Sequence, residues 1–256
     1  MKIGLIGQGA IARYVTDALS PGVHDVVAVL LRPERVRAPL EFGSVDALPA
    51  DIDVMIDCAG HTALAAYGPP VLARGTDVIT VSLGALADRA TAQSLEDAAR
   101  AGQSKLHLAS GAIGALDCLR AARIGTLDTV TYVGRKPPKG WIGSPAEDVL
   151  DLAGLTEGAR THFEGSAREA ALAYPKNANV AAAVALAGLG YEATRDQLIA
   201  DADESRNIHE VSASGEFGSF QFQISGKALP DNPRSSALAA MSVVAKLAQL
   251  NAPVST

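Results

Sequence analysis

The chain is poor in aromatic side chains, which make up 4% of its 256 residues and include a single tryptophan. Its core must therefore be built from alanine, valine, leucine and isoleucine. It has two cysteines, Cys58 and Cys118, with no metal-ligand spacing between them. That excludes a disulfide framework and a cysteine metal site, and no metal is expected; unpaired thiols in a reducing compartment fit best. Positive charge is not in excess: the net charge of −6 argues against nucleic acid as the main partner. Long apolar runs are missing too. The most apolar stretch, 180–189, falls short of the ~20 residues a membrane helix needs, so no membrane partner is expected. The opening residues lack the layout of a secretory leader, and a cytoplasmic setting is the expectation.

What is present begins at residue 2. Lys2-Ile3-Gly4-Leu5-Ile6 reads as a short buried strand, followed by Gly7-Gln8-Gly9-Ala10-Ile11-Ala12 and a helix-compatible segment through Asp17. Strand, glycine turn and helix in that order form a dinucleotide-binding fingerprint, G-x-G-x-x-A. Gly7 permits the tight turn, Gly9 lets backbone approach a pyrophosphate, and Ala12 lets the helix pack close to the strand. The helix start offers N–H groups and partial positive charge to phosphates. A second strand, 25–31, ends in Leu30-Leu31-Arg32-Pro33, with no acidic residue at its tip for a ribose hydroxyl. Arg32 there leans toward NADP or dual use of NAD and NADP, although a solvated loop arginine gives the same residue.

Short apolar strands then alternate with helices. Strands are expected at 42–46, 52–57, 77–81 and 105–109, and helices at 62–74 and 88–101, the α/β pattern. The turn Cys58-Ala59-Gly60-His61 lies at the carboxyl edge of the sheet, where such folds bind ligands. After Ser110 the spacing changes. A helix over 116–124, strands at 129–134, 161–166, 207–213 and 219–225, a helix over 180–187 and a closing helix over 236–250 are predicted. Residues 135–146 read as a Pro- and Gly-rich loop, and Asn177 or Asn179 as the cap of the helix after them. The expected architecture is α/β, a Rossmann-type doubly wound parallel sheet with a second α+β substrate and dimerisation domain. Residues 1–109, completed by a C-terminal helix within 232–256, form the dinucleotide domain, and residues 110–231 the substrate and catalytic domain.

Of five histidines, His24, His107 and His162 read as structural. His61 at the sheet edge and His209 in the second domain are equally placed for the proton movement that accompanies hydride transfer. Candidate cofactor contacts are Gly7, Gly9, Ala10, Ile11, Arg32, Cys58 and Ala59.

A set of motifs then runs in order along nearly the whole chain: Cys58-Ala59-Gly60-His61, Ser82-Leu83-Gly84-Ala85-Leu86, Gly111-Ala112-Ile113-Gly114-Ala115, Arg135-Lys136-Pro137-Pro138, Phe163-Glu164-Gly165-Ser166, Pro175-Lys176-Asn177-Ala178-Asn179, Asn207-Ile208-His209 and Asn232-Pro233-Arg234-Ser235-Ser236. Together they resemble the L-aspartate dehydrogenase family. The resemblance implies NAD(P)-dependent oxidation of L-aspartate to iminoaspartate, and hence oxaloacetate and ammonia, in a homodimer. It also implies that His209 is the active-site residue and that Ala112 and Asn179 contact the cofactor. A dicarboxylate needs cationic partners, for which Lys136, Arg168 and Arg234 are candidates beside His61. Departures are Ala115, where a second glycine is expected, Arg234-Ser235 in place of Lys-Thr, and the lack of a proline in 200–206. The alternatives are an imine reductase of the dihydrodipicolinate reductase type, which would carry a histidine and lysine cluster in a substrate loop that is not found in this sequence, and a non-catalytic NAD(P)-sensing regulator.

Overall fold

The structure, a computed structural model, describes residues 1–19, 23–175, 179–229 and 232–254, and the side chains of 232–235 lie outside that description. In chain order the elements are β1 (Lys2–Ile6), α1 (Ala10–Ala18), β2 (Asp25–Leu30), β3 (Glu41–Phe42), β4 (Val54–Asp57), α2 (His61–Ala73), β5 (Asp77–Thr80), α3 (Arg89–Gly102) and β6 (Leu106–Leu108). There follow α4 (Leu116–Ala122), β7 (Leu127–Lys136), β8 (Ala159–Ser166), α5 (Ala167–Ala173), α6 (Asn179–Ala187), β9 (Arg195–Asp201), β10 (Asn207–Gly215), β11 (Gly218–Gly226), β12 (Ala228–Leu229), β13 (Asn232–Ser236) and α7 (Ala237–Asn251). Contacts divide the chain into two compact units, Met1–Ala109 with Ala239–Thr256, and Ser110–Leu238.

In the first unit six strands pair in the order β3-β2-β1-β4-β5-β6, every pair parallel. This is a Rossmann-type doubly wound sheet. Central parallel strands are covered on both faces, which is why Ile3–Ile6 and Val54–Asp57 are buried without alternation. Strand order reverses between β1 and β4, so the turns leaving those two strands splay apart and open a crevice. From α7, Val243 and Leu247 pack among Ile3, Leu5, Val54 and Ile56. Burial of two such side chains stabilises the unit by about 1.5–3 kcal/mol each.

The second unit is built on a mixed five-stranded sheet, β11-β10-β7-β9-β8, parallel between β7 and β9 and antiparallel elsewhere. One face, with Val130, Tyr132, Leu198, Ala200, Val211 and Ala213, is buried. α6 packs on β7, while α5 packs on β8 and β9. α5 starts in a capping box: Ser166 Oγ accepts from Glu169 N at 3.2 Å, and Ser166 N donates to Glu169 Oε2 at 2.8 Å.

The structure corrects three expectations. The strand expected over 42–46 is only Glu41–Phe42. Residues 135–146 are not a loop throughout: β7 runs on to Lys136, because a residue before proline is pushed toward extended backbone, and two short 3₁₀ turns follow. β9, between β8 and β7 and parallel to β7, also belongs to the second sheet, and the apolar spacing of the sequence does not disclose it. Its charged ends, Arg195-Asp196 and Asp201, disguise a buried centre.

Candidate functional site

In the first unit the functional edge is built from backbone. Gly7 has φ +88°, and a Cβ there would lie 2.8 Å from the Cβ of Ala59. Gly7 N donates to Leu30 O at 2.9 Å and Cys58 N to Ile6 O at 3.0 Å, which ties the turns after β1 and β4 to the sheet. Beside Gly9 the space is open, the nearest atom to an added Cβ being Cys58 O at 3.8 Å. No side chain caps α1 at Gly9, so the amides of its first turn, at Ala10 and Ile11, face outward as anion-binding donors. These features fit a dinucleotide pyrophosphate.

Beside this turn lies a cavity of about 460 Å³ lined by Gly7, Gln8, Leu30, Leu31, Arg32, Arg35, Ala59, Thr62, Ala63, Ala66 and Tyr67. Its size and apolar walls suit a nucleoside. Arg32 and Arg35 both reach its rim. Arg32 Nε lies 3.4 Å from Glu34 Oε1, both largely exposed, a pair worth little in water. Sequence reading names Arg32 but passes over Arg35, whose only signal is its spacing of three from Arg32 through a 3₁₀ turn.

Asp57, at the tip of β4, holds the edge together. Its carboxylate is fully buried and accepts from Ala59 N (3.0 Å), Gly60 N (3.3 Å), Thr80 Oγ1 (2.8 Å) and Ser82 Oγ (2.5 Å). Burial raises its pKa, while the four donors pull the other way. Cys58 beside it is a free thiol whose pKa is raised by burial and by Asp57, so it is not a reactive thiolate. His61 opens α2 at the same edge.

In the second unit a different kind of site forms on the buried face of the sheet. Tyr132, Gly134 and Lys136 share one face of β7, and His209 of β10 lies opposite Gly134. His209 Nδ1 is 2.8 Å from Tyr132 Oη, and the two rings are nearly coplanar in orientation. Burial, and secondarily the charge of Lys136, pull the His209 pKa down to about 3. Lys136 Nζ sits 4.8 Å over the ring of Trp141, and desolvation lowers its pKa to about 8. His162 of β8 meets Trp141 edge-on at 4.4 Å and Tyr174 Oη at 3.2 Å; burial and Lys136 bring its pKa to about 4. Trp141 Nε1 donates to Ile199 O at 3.0 Å, anchoring the ring.

The fold thus brings His209, Lys136 and His162 into one electrostatically coupled cluster, from three strands. Among the described residues no single loop carries a histidine and lysine grouping; one is assembled instead across the sheet. Tyr132, which orients His209, gives no signal in sequence beyond its two-residue step from Gly134. Arg168 is not brought to the cluster by any described contact: it pairs with Glu192 at 2.6 Å and stacks 5.0 Å over Tyr191. Ala112 is buried in the 110–115 turn, and Asn179 is the first residue of α6. Asn177, the alternative cap, lies outside the described residues, as does the side chain of Arg234. Among the described residues no group of three or more His, Cys, Asp or Glu side chains is set to hold a metal ion, and no helix is long and apolar enough to cross a membrane.

Comparison with known proteins adds the following. Residues 117–250 match the family described as aspartate dehydrogenase, C-terminal, and residues 7–109 match that described as homoserine dehydrogenase, NAD binding domain. The L-aspartate dehydrogenase of Ruegeria pomeroyi is 56% identical over 260 residues, covering 99% of this chain and 94% of that protein. That of Pseudomonas aeruginosa is 49% identical over 264 residues, covering 96% of each. Among solved structures, aspartate dehydrogenase from Thermotoga maritima shares the fold, with a TM-score of 0.78 at 24% identity over 100% of this chain and 99% of that one.

Proposed function

Since the chain belongs to the L-aspartate dehydrogenase family, we propose that it oxidises L-aspartate to iminoaspartate with NAD or NADP, and runs the reaction in reverse with oxaloacetate and ammonia. The amino acid loses a hydride and a proton; water then adds to the imine, releasing oxaloacetate and ammonium. A nicotinamide cofactor bound at the first unit supplies the hydride acceptor. In this reading Gly7, Gly9, Ala10 and Ile11 hold the pyrophosphate, Cys58 and Ala59 border it, and residues 1–109 with α7 are the cofactor domain. Ala112 and Asn179 are assigned as further cofactor contacts by family resemblance.

One observation carries the substrate assignment: His209, buried on β10 opposite Gly134, shares a sheet face with Lys136 of β7, whose pKa desolvation lowers. An incoming carboxylate restores the proton affinity of Lys136, so the cation is formed most firmly when a dianionic substrate is bound. His61, Arg168 and Arg234 remain lesser candidates for the second carboxylate. Arg32 and Arg35 at the nucleoside cavity, with no acid at the tip of β2, support use of NADP alongside NAD. A homodimer in the cytoplasm completes the proposal; the free thiols Cys58 and Cys118 fit a reducing setting.

The test is absorbance at 340 nm with purified protein, L-aspartate, and NAD or NADP in parallel, with D-aspartate, L-glutamate and L-alanine as controls. Reduction with L-aspartate alone is the expected result. No reduction with any amino acid, and no oxidation of NAD(P)H by oxaloacetate plus ammonia, sinks it. The Lys136–His209–His162 cluster favours a second reading, reduction of a cyclic imine, and dihydrodipicolinate in the same cuvette separates the two.

A further inference from the structure

A histidine acts through whichever ring nitrogen faces its ligand, and the hydrogen bond at the other nitrogen decides whether that face donates or accepts. Among the described residues Tyr132 Oη has one hydrogen-bond partner, His209 Nδ1, at 2.8 Å. Both residues are buried, Tyr132 at 1% and His209 at 4% exposure. A buried phenol keeps its proton, and that proton needs an acceptor. Were Nδ1 the donor, the Tyr132 hydroxyl hydrogen would be left without one, at a cost that buried donors rarely bear. With the phenol donating, Nδ1 accepts through its lone pair and the ring proton sits on Nε2.

The strand has been shaped for this contact. Tyr132 and Gly134 lie on one face of β7, and the tyrosine ring folds forward along the strand. A Cβ on Gly134 would lie 2.7 Å from Tyr132 Oη and 3.2 Å from its Cζ, with Leu198 Cδ2 closing the other side at 3.2 Å. Glycine inside a strand ordinarily weakens it. Here its missing side chain is the space the hydroxyl occupies, directly opposite His209 in the register.

We propose that Tyr132 and Gly134 are positioning residues that hold His209 as the Nε2–H tautomer, so that the imidazole presents a fixed hydrogen-bond donor to a substrate carboxylate and is not the proton acceptor of the reaction. The second half of that statement rests on the reading of His209 as the substrate-facing residue.

The experiment uses full-length protein labelled with ¹⁵N-histidine, with His209 assigned by the signals lost in His209→Gln. Across about pH 6–8 the wild-type spectrum is expected to show an unprotonated Nδ1 and a protonated Nε2. Tyr132→Phe and Gly134→Ala are expected to release the proton to either nitrogen. Each should raise KM for L-aspartate about tenfold while changing kcat less than about threefold, with cofactor affinity unchanged. His209→Gln, whose amide donates but takes up no proton, should keep about a tenth of wild-type turnover, well above His209→Ala. A protonated Nδ1 in the wild type, or a glutamine variant as inactive as the alanine one, overturns the proposal. Should the two positioning variants fail to fold, the wild-type spectrum still decides. No turnover of L-aspartate alongside an Nε2–H spectrum would defeat the functional reading and not the tautomer; turnover with an Nδ1–H spectrum would do the reverse.

Discussion

At the tip of β4 the carboxylate of Asp57 is surrounded by four donors from its own unit. On the sheet of the other unit, the polar groups under the helices are left incomplete. His162 Nε2 meets no hydrogen-bond partner among the described residues, and the Gln197 amide pulls only weakly against the burial of the Asp196 carboxyl. Burial holds Asp196 near pKa 8, Lys136 near 8 and His209 near 3. The edge proposed above as the cofactor cradle has its buried carboxylate surrounded by donors, which suits a turn that has to keep one shape. The polar groups of the second sheet, proposed above as the substrate site, keep shifted pKa values of the kind that mark functional positions.

Removing the reactive side is the strongest way to break this contrast. His209→Ala is expected to lower turnover about 10²–10³-fold while NADPH binding, followed by fluorescence titration, stays within about twofold. Equal loss of both would mean that the two units do not divide the work this way. Acid acts on the same side. The folded pKa values of His209 and His162, about 3 and about 4, lie below the ordinary 6.5. Depressed values mean their contribution to stability is complete above pH 6.5 and is lost as pH falls toward 4. Asp196, whose folded pKa of about 8 lies above its ordinary value, works the other way between pH 7 and pH 5 and offsets most of the histidine loss. Urea melts at the two pH values should therefore differ by only about 1 kcal/mol, and His162→Gln should abolish that loss.

On the other side of the comparison, Asp57→Asn replaces an acceptor with a half-donor facing four donors. It should cost about 2–3 kcal/mol of stability and weaken cofactor binding about tenfold, read by thermal melts and titration. Lys136→Met sharpens the contrast from the opposite direction, since it removes a desolvated cation. It is expected to raise KM for L-aspartate about tenfold with cofactor affinity unchanged, a loss of substrate grip alone. The smallest effect concerns Ala115, where the family pattern calls for glycine. Its φ of 59° is left-handed, and Ala115→Gly should stabilise by about 0.5 kcal/mol in chemical denaturation.

How far each unit could be read in advance follows from the same difference. The parallel sheet and its phosphate turn depend on local spacing, so Gly7-Gln8-Gly9 and the apolar runs of β1, β2 and β4 disclose them directly. In the second unit, the proposed site depends on which residues stand opposite one another. Lys136 was visible as a cation, but not as the end of a strand, because the prolines after it resemble a loop. Tyr132 and His209 are 77 residues apart, and only the β7–β10 register joins them. β9 stayed hidden because Asp196 and Asp201 are acids in buried positions. His209 was singled out by the family motif, not by any local pattern that set it above His61.

The sheet of the first unit is completed from both directions, by β1 at residue 2 and by Val243 and Leu247 of α7. During synthesis, a ribosome releases residues 1–109 before that helix exists, so the first unit has part of its apolar surface bare while residues 110–238 emerge. The enclosed unit can therefore mature on its own stretch of chain, while the first unit gains Val243 and Leu247 only after it, so its core depends on a segment on the far side of the other unit.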